Sequence, residues 1–158
     1  MALPFMKNPR AAMLLEGNQC GSNGSRRPAA EGPMGNRKQR QAMILVVDDD
    51  KLLVKMGVRI CKKLGHEVKG TTSSNEALEI YKEGGVDLVL SDFNMPPGMN
   101  GLDLLKALKE HDPDAKVIIH AGGLGGREVE ALREAGVAEI IHKPAGHGEL
   151  EQIIDANI

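Results

Sequence analysis

The sequence predicts an α/β fold in which a doubly wound, five-stranded parallel sheet carries helices on both faces. Two observations predict it. Short runs rich in Val, Ile and Leu alternate with stretches of helical periodicity, and the helical stretches carry their own end signals. Because strands that alternate with helices are joined by crossover connections, such units build a parallel sheet. The expected strand order is 2-1-3-4-5.

Each element is predicted from a local pattern. The predicted strands are the apolar runs Met43–Val47, His66–Gly70, Val86–Ser91, Lys116–His120 and Ala138–His142. Five helices are predicted from apolar repeats and end signals. The first has the apolar repeat Leu53–Leu64 and ends before Gly65, and the second begins at the capping box of Ser73 and Glu76. The third is capped by Asn100 before Leu104, Leu105 and Leu108, the fourth has Val129 and Leu132 before Gly136, and the fifth has Leu150, Ile153 and Ile154.

Charge is unevenly distributed along the 158 residues. Residues 1–42 carry seven Lys/Arg and two Asp/Glu, whereas residues 43–158 carry 13 and 20. Residues 16–41 are rich in Gly, Asn, Ser, Pro and Arg and lack apolar periodicity, which is typical of disorder. We therefore predict a disordered, basic N-terminal extension over 1–42 and one domain over 43–158. The extension is a functional tail, a tag or the product of a mis-assigned start.

Composition also limits the function. The acidic domain argues against direct DNA binding, because phosphate contacts require clustered Lys and Arg. No apolar run approaches the roughly 20 residues that span a bilayer. Cys20 and Cys61 have no partner at disulfide or zinc-site spacing. These features predict a cytoplasmic protein that does not associate with membranes.

Ionisable residues follow three of the predicted strands. The first strand is followed by Asp48, Asp49 and Asp50, the third by Asp92 and the fifth by Lys143. With the first and third strands adjacent, their carboxylates meet at the switch point of the sheet. Neighbouring carboxylates repel one another, so the arrangement calls for a cation, and oxygen ligands with room for water suit Mg²⁺. We expect Asp50 only to cap the helix that follows it.

A Mg²⁺ ion and an ammonium group beside one carboxylate indicate phosphoryl transfer onto that carboxylate, because both neutralise the phosphoryl oxygens. Four segments in order and spacing resemble the receiver domain of bacterial response regulators: ILVVDDD (44–50), VLSDFNMP (89–96), MNGLDLL (99–105) and HKPAG (142–146). The chain is similar to the chemotaxis-regulator-like, single-domain receivers of two-component signalling, and this resemblance implies a flavodoxin-like fold.

The resemblance implies a role for each matching position. Asp92 corresponds to the phosphoacceptor and also to a metal ligand, Asp49 to a direct Mg²⁺ ligand, and Asp48 to an acidic partner of the metal. The backbone carbonyl of Asn94 corresponds to a further ligand and Lys143 to the phosphate-binding lysine. The implied partners are a sensor histidine kinase or a histidine phosphotransfer protein and an unidentified downstream protein. The resemblance also implies that the protein is a monomer and that it is a signalling protein rather than an enzyme.

Two switch positions depart from the family pattern. Ala121 stands where the family carries Ser or Thr, so only its backbone is expected beside the phosphate, and Ile140 stands where the family carries an aromatic residue. The segment 95–101 is one residue longer than the common pattern. The glycine run 122–126 is expected to be a flexible loop whose N–H groups are available to a phosphoryl group. His120 and His142 are expected to be structural or surface histidines rather than ligands, because strand alternation points each away from its neighbouring site residue.

Three functions compete on this sequence. The first is a receiver that accepts phosphate and then signals through partner binding or a phosphorelay. The second is a receiver-like adaptor whose partner binding is independent of phosphorylation, which the missing switch residues would permit. The third is a Mg²⁺-dependent phosphohydrolase, but such enzymes normally carry a second acid two residues after the first, where this chain has Asn94.

Overall fold

The computed structural model describes residues 40–158, which form a five-stranded parallel sheet in the order β2-β1-β3-β4-β5. This confirms the predicted fold class and strand order. Strands and helices alternate along the chain: β1 (Met43–Val47), α1 (Lys51–Lys63), β2 (Glu67–Thr71), α2 (Ser74–Lys82), β3 (Leu88–Asp92), α3 (Gly101–His111), β4 (Val117–Ala121), α4 (Gly126–Glu134), β5 (Glu139–His142) and α5 (His147–Asn157).

The sheet separates two apolar cores. On one face, β-strand side chains such as Leu45 and Val89 pack with residues of α2, α3 and α4. On the other face, side chains such as Ile44 and Leu90 pack with residues of α1 and α5. Burial on both faces explains why the central strands are almost continuously apolar rather than alternating.

The sequence patterns locate the helix starts well. Asp50 caps α1 by accepting from the Leu52 N–H at 2.7 Å, which confirms its predicted role. Ser73 caps α2, and Asn100 caps α3 by accepting from the Asp103 N–H at 2.9 Å. Each cap satisfies an N–H group that the first helical turn leaves without a partner.

Three of the five strands end one residue later than predicted, and β3 begins two residues later, at Leu88. The strands β2, β3 and β4 each extend one residue further than the apolar runs indicate. The strand pairing continues past the ends of the predicted runs. Asp92 of β3 pairs with His120 of β4, and Ala121 of β4 pairs with His142 of β5. Asp92 and Ala121 are therefore the last residues of their strands, not the first residues of the loops.

Ala42, which the sequence assigned to the extension, packs as part of the domain. It is 1% exposed, its N–H donates to Nδ1 of His66 at 3.4 Å, and its carbonyl accepts from the Glu67 N–H at 2.9 Å. The predicted disorder of residues 1–39 lies outside the described residues. Within residues 40–158, no helix combines the length and the apolar character needed to cross a bilayer.

Candidate functional site

The carboxyl ends of β1, β3 and β5 bring four ionisable side chains together. One carboxylate oxygen from each of Asp48, Asp49 and Asp92 lies within 4.8 Å of the other two. Nζ of Lys143 donates to Oδ1 of Asp92 at 2.9 Å and to Oδ2 of Asp48 at 3.2 Å. The residues predicted from the strand ends therefore meet in one pocket, as the strand order requires.

Burial sets the electrostatics of this acidic pocket. Asp48 and Asp92 are buried, whereas Asp49 is exposed. Burial raises the pKa of Asp48 above its ordinary value, against the opposing effects of the Asp50 amide and Lys143. Burial alone would lower the pKa of Lys143, but its hydrogen bond to Asp92 and the charges of Asp92 and Asp48 together raise that pKa. Lys143 is thus held as a cation.

The donor set fits a divalent cation. Three carboxylates against one ammonium leave a formal charge of −2 in the pocket. Burial outweighs the lowering effects of the Asp50 amide and Lys143 on the pKa of Asp48. Hard oxygen donors with an exposed member, Asp49, suit Mg²⁺, which retains several water ligands. Asn94 lies two residues after Asp92 in an exposed loop, and its carbonyl remains a predicted ligand.

Neighbouring backbone groups hold the acidic side chains in place. Oδ1 of Asp48 accepts from the Asp50 N–H at 2.9 Å. The start of α3 lies directly against the end of β3, where the Gly101 N–H donates to the Phe93 carbonyl at 2.8 Å. A Cβ atom on Gly101 would lie 2.6 Å from the carbonyl oxygen of Asp92, so this position requires glycine.

The two switch positions lie on the other face of the sheet. Ala121 is fully buried in the core beside α2, α3 and α4, and Ile140 packs against the same core. The carbonyl of Ala121 accepts from the Lys143 N–H at 2.8 Å, which ties the end of β4 to the site lysine. In the glycine run, the Gly125 N–H donates to the Glu128 carboxylate at 2.7 Å as α4 begins.

Sequence reasoning missed the position of His120. It does face away from Ala121, but it lies beside Asp92 in the ladder and lines the same cleft as Asp48 and Asp92. The Nε2 atom of His120 is buried and has no hydrogen-bond partner among the described residues. Burial is the main cause that lowers the pKa of His120, and the positive charge of Lys143 lowers it further. Residues paired across a parallel ladder share a face of the sheet, but neither strand alone encodes the register that pairs His120 with Asp92.

Together, the fold and the pocket define a class of proteins: five-stranded, doubly wound α/β domains with clustered aspartates and a lysine at the switch point of the sheet. The family model described as response regulator receiver domain matches residues 44–155. The chain belongs to this family. Phosphorylation and Mg²⁺ binding are typical of the family, which serves two-component signalling.

Individual relatives agree with this assignment. The chain is 41% identical over 103 residues to the chemotaxis protein CheY of Thermotoga maritima, covering 64% of this chain and 84% of that protein. A match to the sensor kinase CckA of Brucella abortus is 41% identical over 83 residues, covering 51% of this chain but 9% of that protein. A receiver domain structure from Clostridium thermocellum superposes with a TM-score of 0.70 at 30% identity, covering 74% of this chain and 94% of that one.

Proposed function

We propose that this chain acts as a response regulator whose receiver domain accepts a phosphoryl group on Asp92 in a Mg²⁺-dependent reaction. The phosphodonor is the phosphohistidine of a sensor histidine kinase or of a histidine phosphotransfer protein. The observation that carries the proposal is Lys143, whose Nζ contacts the carboxylates of both Asp92 and Asp48 in a pocket with a formal charge of −2. Output then proceeds through binding of a downstream protein or through a phosphorelay.

The reaction follows from these positions. A carboxylate oxygen of Asp92 attacks phosphorus, an O–P bond forms, and the N–P bond of the phosphohistidine breaks with its electron pair passing to the imidazole. Lys143 lies where it can neutralise the phosphoryl oxygens as they arrive. Asp48, Asp49, Asp92 and the Asn94 carbonyl would hold Mg²⁺, which when bound supplies further positive charge to the transferred group. The product is an acyl phosphate on Asp92.

Two alternatives are weaker. An adaptor that acts independently of phosphorylation is favoured by Ala121 and Ile140, which lack the hydroxyl and the aromatic ring that couple phosphate to output in the family. The intact arrangement of Asp92 and Lys143 argues against it, because an adaptor would not need it. A phosphohydrolase is disfavoured because Asn94 stands where the second acid of such enzymes would be.

The test uses acetyl phosphate and Mg²⁺, with intact mass as the readout. We expect one adduct of roughly 80 Da on the wild-type protein, labile in base. Asp92→Asn should give no adduct, because an amide cannot form an acyl phosphate, and should keep the wild-type circular dichroism spectrum. Asp114→Asn, which changes an exposed carboxylate, is the matched control and should label normally. An adduct that persists in Asp92→Asn would place the acceptor elsewhere.

A further inference from the structure

A cleft opens between α1 and α5 directly beside the acidic pocket. Its volume is about 110 Å³. Val46 and Leu90 of the sheet form its floor, Met56 lines the α1 side, and Leu150 lines the α5 side. Asp48 and Asp92 also line the cleft, so its polar end is continuous with the candidate site. We name this space the α1–α5 cleft.

The apolar walls of the α1–α5 cleft are incompletely covered. In the part of the chain that the structure describes, the strongly exposed large apolar side chains are Leu52 (67%), Met56 (52%) and Leu53 (39%), and all three belong to α1. Leu53 and Met56 line the cleft, whereas Leu52 does not. A space lined mainly by apolar groups offers water few partners, so an apolar group of one ring or a branched chain is a better occupant.

Charge along the cleft selects the polar part of such an occupant. Asp48 and Asp92 line this end and carry two formal negative charges against the one positive charge of Lys143, which leaves −1. The neighbouring Asp49 of the acidic pocket adds a further negative charge. Beyond Met56 and Ile60, the surface continues to Arg59 and Lys63, which are cations. A positive group is therefore attracted to the aspartates and repelled from the opposite end.

We propose that the α1–α5 cleft binds a small organic ammonium compound, with an aromatic or branched aliphatic body between Met56 and Leu150 and its ammonium group at Asp48 and Asp92. The ligand and Mg²⁺ are then drawn to the same carboxylates, so each weakens the binding of the other by the same factor. Binding itself requires only the cleft. The consequence that such a ligand inhibits phosphorylation of Asp92 rests on the proposed function.

The test is a titration of ¹⁵N-labelled protein followed by amide chemical shifts, without a phosphodonor. Benzylamine is the probe because it joins one ring to one ammonium group. We expect saturable shifts in residues 46–48, 53–60 and 145–150, and weaker binding in the presence of Mg²⁺. Methylamine, which lacks the ring, and benzyl alcohol, which lacks the charge, should each bind about tenfold more weakly.

Two variants on one helix form a matched pair. Met56→Ala and Leu52→Ala both shorten an exposed apolar side chain of α1, but only Met56 lines the cleft. We expect Met56→Ala to weaken benzylamine binding by about threefold or more, while Leu52→Ala leaves it unchanged. Ala145→Leu, which places a larger side chain in the cleft, should reduce binding further and keep the remaining amide spectrum.

Several results would overturn the inference. These are the absence of saturable shifts with benzylamine, shifts confined to the aspartates and equal for methylamine, or equal losses in Met56→Ala and Leu52→Ala. If benzyl alcohol binds as tightly as benzylamine, the positive charge contributes nothing to binding and the proposed ligand class is wrong. None of these results bears on the mass adduct at Asp92, and failure of that adduct would leave the cleft titration intact, so the two proposals fail separately.

Discussion

At the scale of single residues, burial opposes ionisation of the Asp48 carboxyl group in the folded protein. Burial raises the pKa of this group, despite the Asp50 amide and Lys143. The folded state therefore binds this proton more tightly than the unfolded state does. The stabilising effect of the protonated form is complete below the unfolded pKa and is lost as pH rises through the folded pKa.

We therefore expect Asp48→Asn to raise the free energy of unfolding at pH 7 in the absence of Mg²⁺. Near pH 3 the wild-type carboxyl group is already protonated, so the difference between the two proteins should become small. Denaturant titrations at both pH values measure this, with Asp114→Asn as the exposed control. Added Mg²⁺ should stabilise the wild type more than the variant. A variant less stable than the wild type at pH 7 would show that the Lys143 contact outweighs burial.

The site residues differ in how far the sequence could locate them. Asp48, Asp49, Asp92 and Lys143 each adjoin the end of a parallel strand, and all such ends share one edge of the sheet, so their meeting followed from strand order. His120 was misplaced because its position relative to Asp92 depends on ladder register, which no local pattern encodes. The α1–α5 cleft depends on how closely two helices approach, and this too is a property of packing.

At the scale of elements, the contact between β3 and α3 depends on Gly101. A Cβ atom at this first residue of α3 would lie 2.6 Å from the Asp92 carbonyl oxygen and 2.9 Å from Cα of Phe93. Both neighbours are backbone atoms and cannot rotate away, so the helix or the strand end would have to move. The end of β3 carries Asp92, so such movement would displace the proposed acceptor.

We expect Gly101→Ala to lower the free energy of unfolding by about 1–3 kcal/mol, the usual cost of overpacking. Gly126→Ala is the matched control, because Gly126 is the first residue of α4 and a Cβ atom there would meet nothing within 4 Å. That variant should be neutral or more stable by up to about 1 kcal/mol, since alanine loses less backbone entropy. Equal stability of the two variants in urea titrations would contradict the close contact.

Element boundaries show where local patterns fail. The apolar runs located all five strands, and the caps located the starts of α1, α2 and α3. The runs ended one residue early at β3 and β4 because the last strand residues, Asp92 and Ala121, are held by neighbouring strands. Hydrophobicity marks what a strand buries, whereas the ladder fixes where it stops.

At the scale of the whole molecule, phosphorylation of Asp92 would have to change the packing on the other face of the sheet, where Ala121 and Ile140 lie. Lys143 and Ala121 are joined by a backbone hydrogen bond of 2.8 Å, and Ala121 and Ile140 both pack in the core beside α4. A ligand shifts a conformational equilibrium only through its different affinities for the two states. Ala121 has no hydroxyl to offer the phosphoryl group, and Ile140 has no ring to reorient.

A charge-assisted hydrogen bond from a hydroxyl at position 121 to the phosphoryl group would contribute about 1.5–3 kcal/mol. Without it, we expect phosphorylation to shift the equilibrium between the two conformations roughly tenfold less, or weaker still. We therefore predict that beryllofluoride with Mg²⁺ changes amide shifts mainly in residues 48–49, 92–99 and 121–126, with small changes over 129–142. Ala121→Thr, which supplies a hydroxyl, should enlarge the response over 129–142 but not complete it while Ile140 remains. Large shifts over 129–142 in the wild type would mean that the signal leaves the site by a route that needs neither side chain.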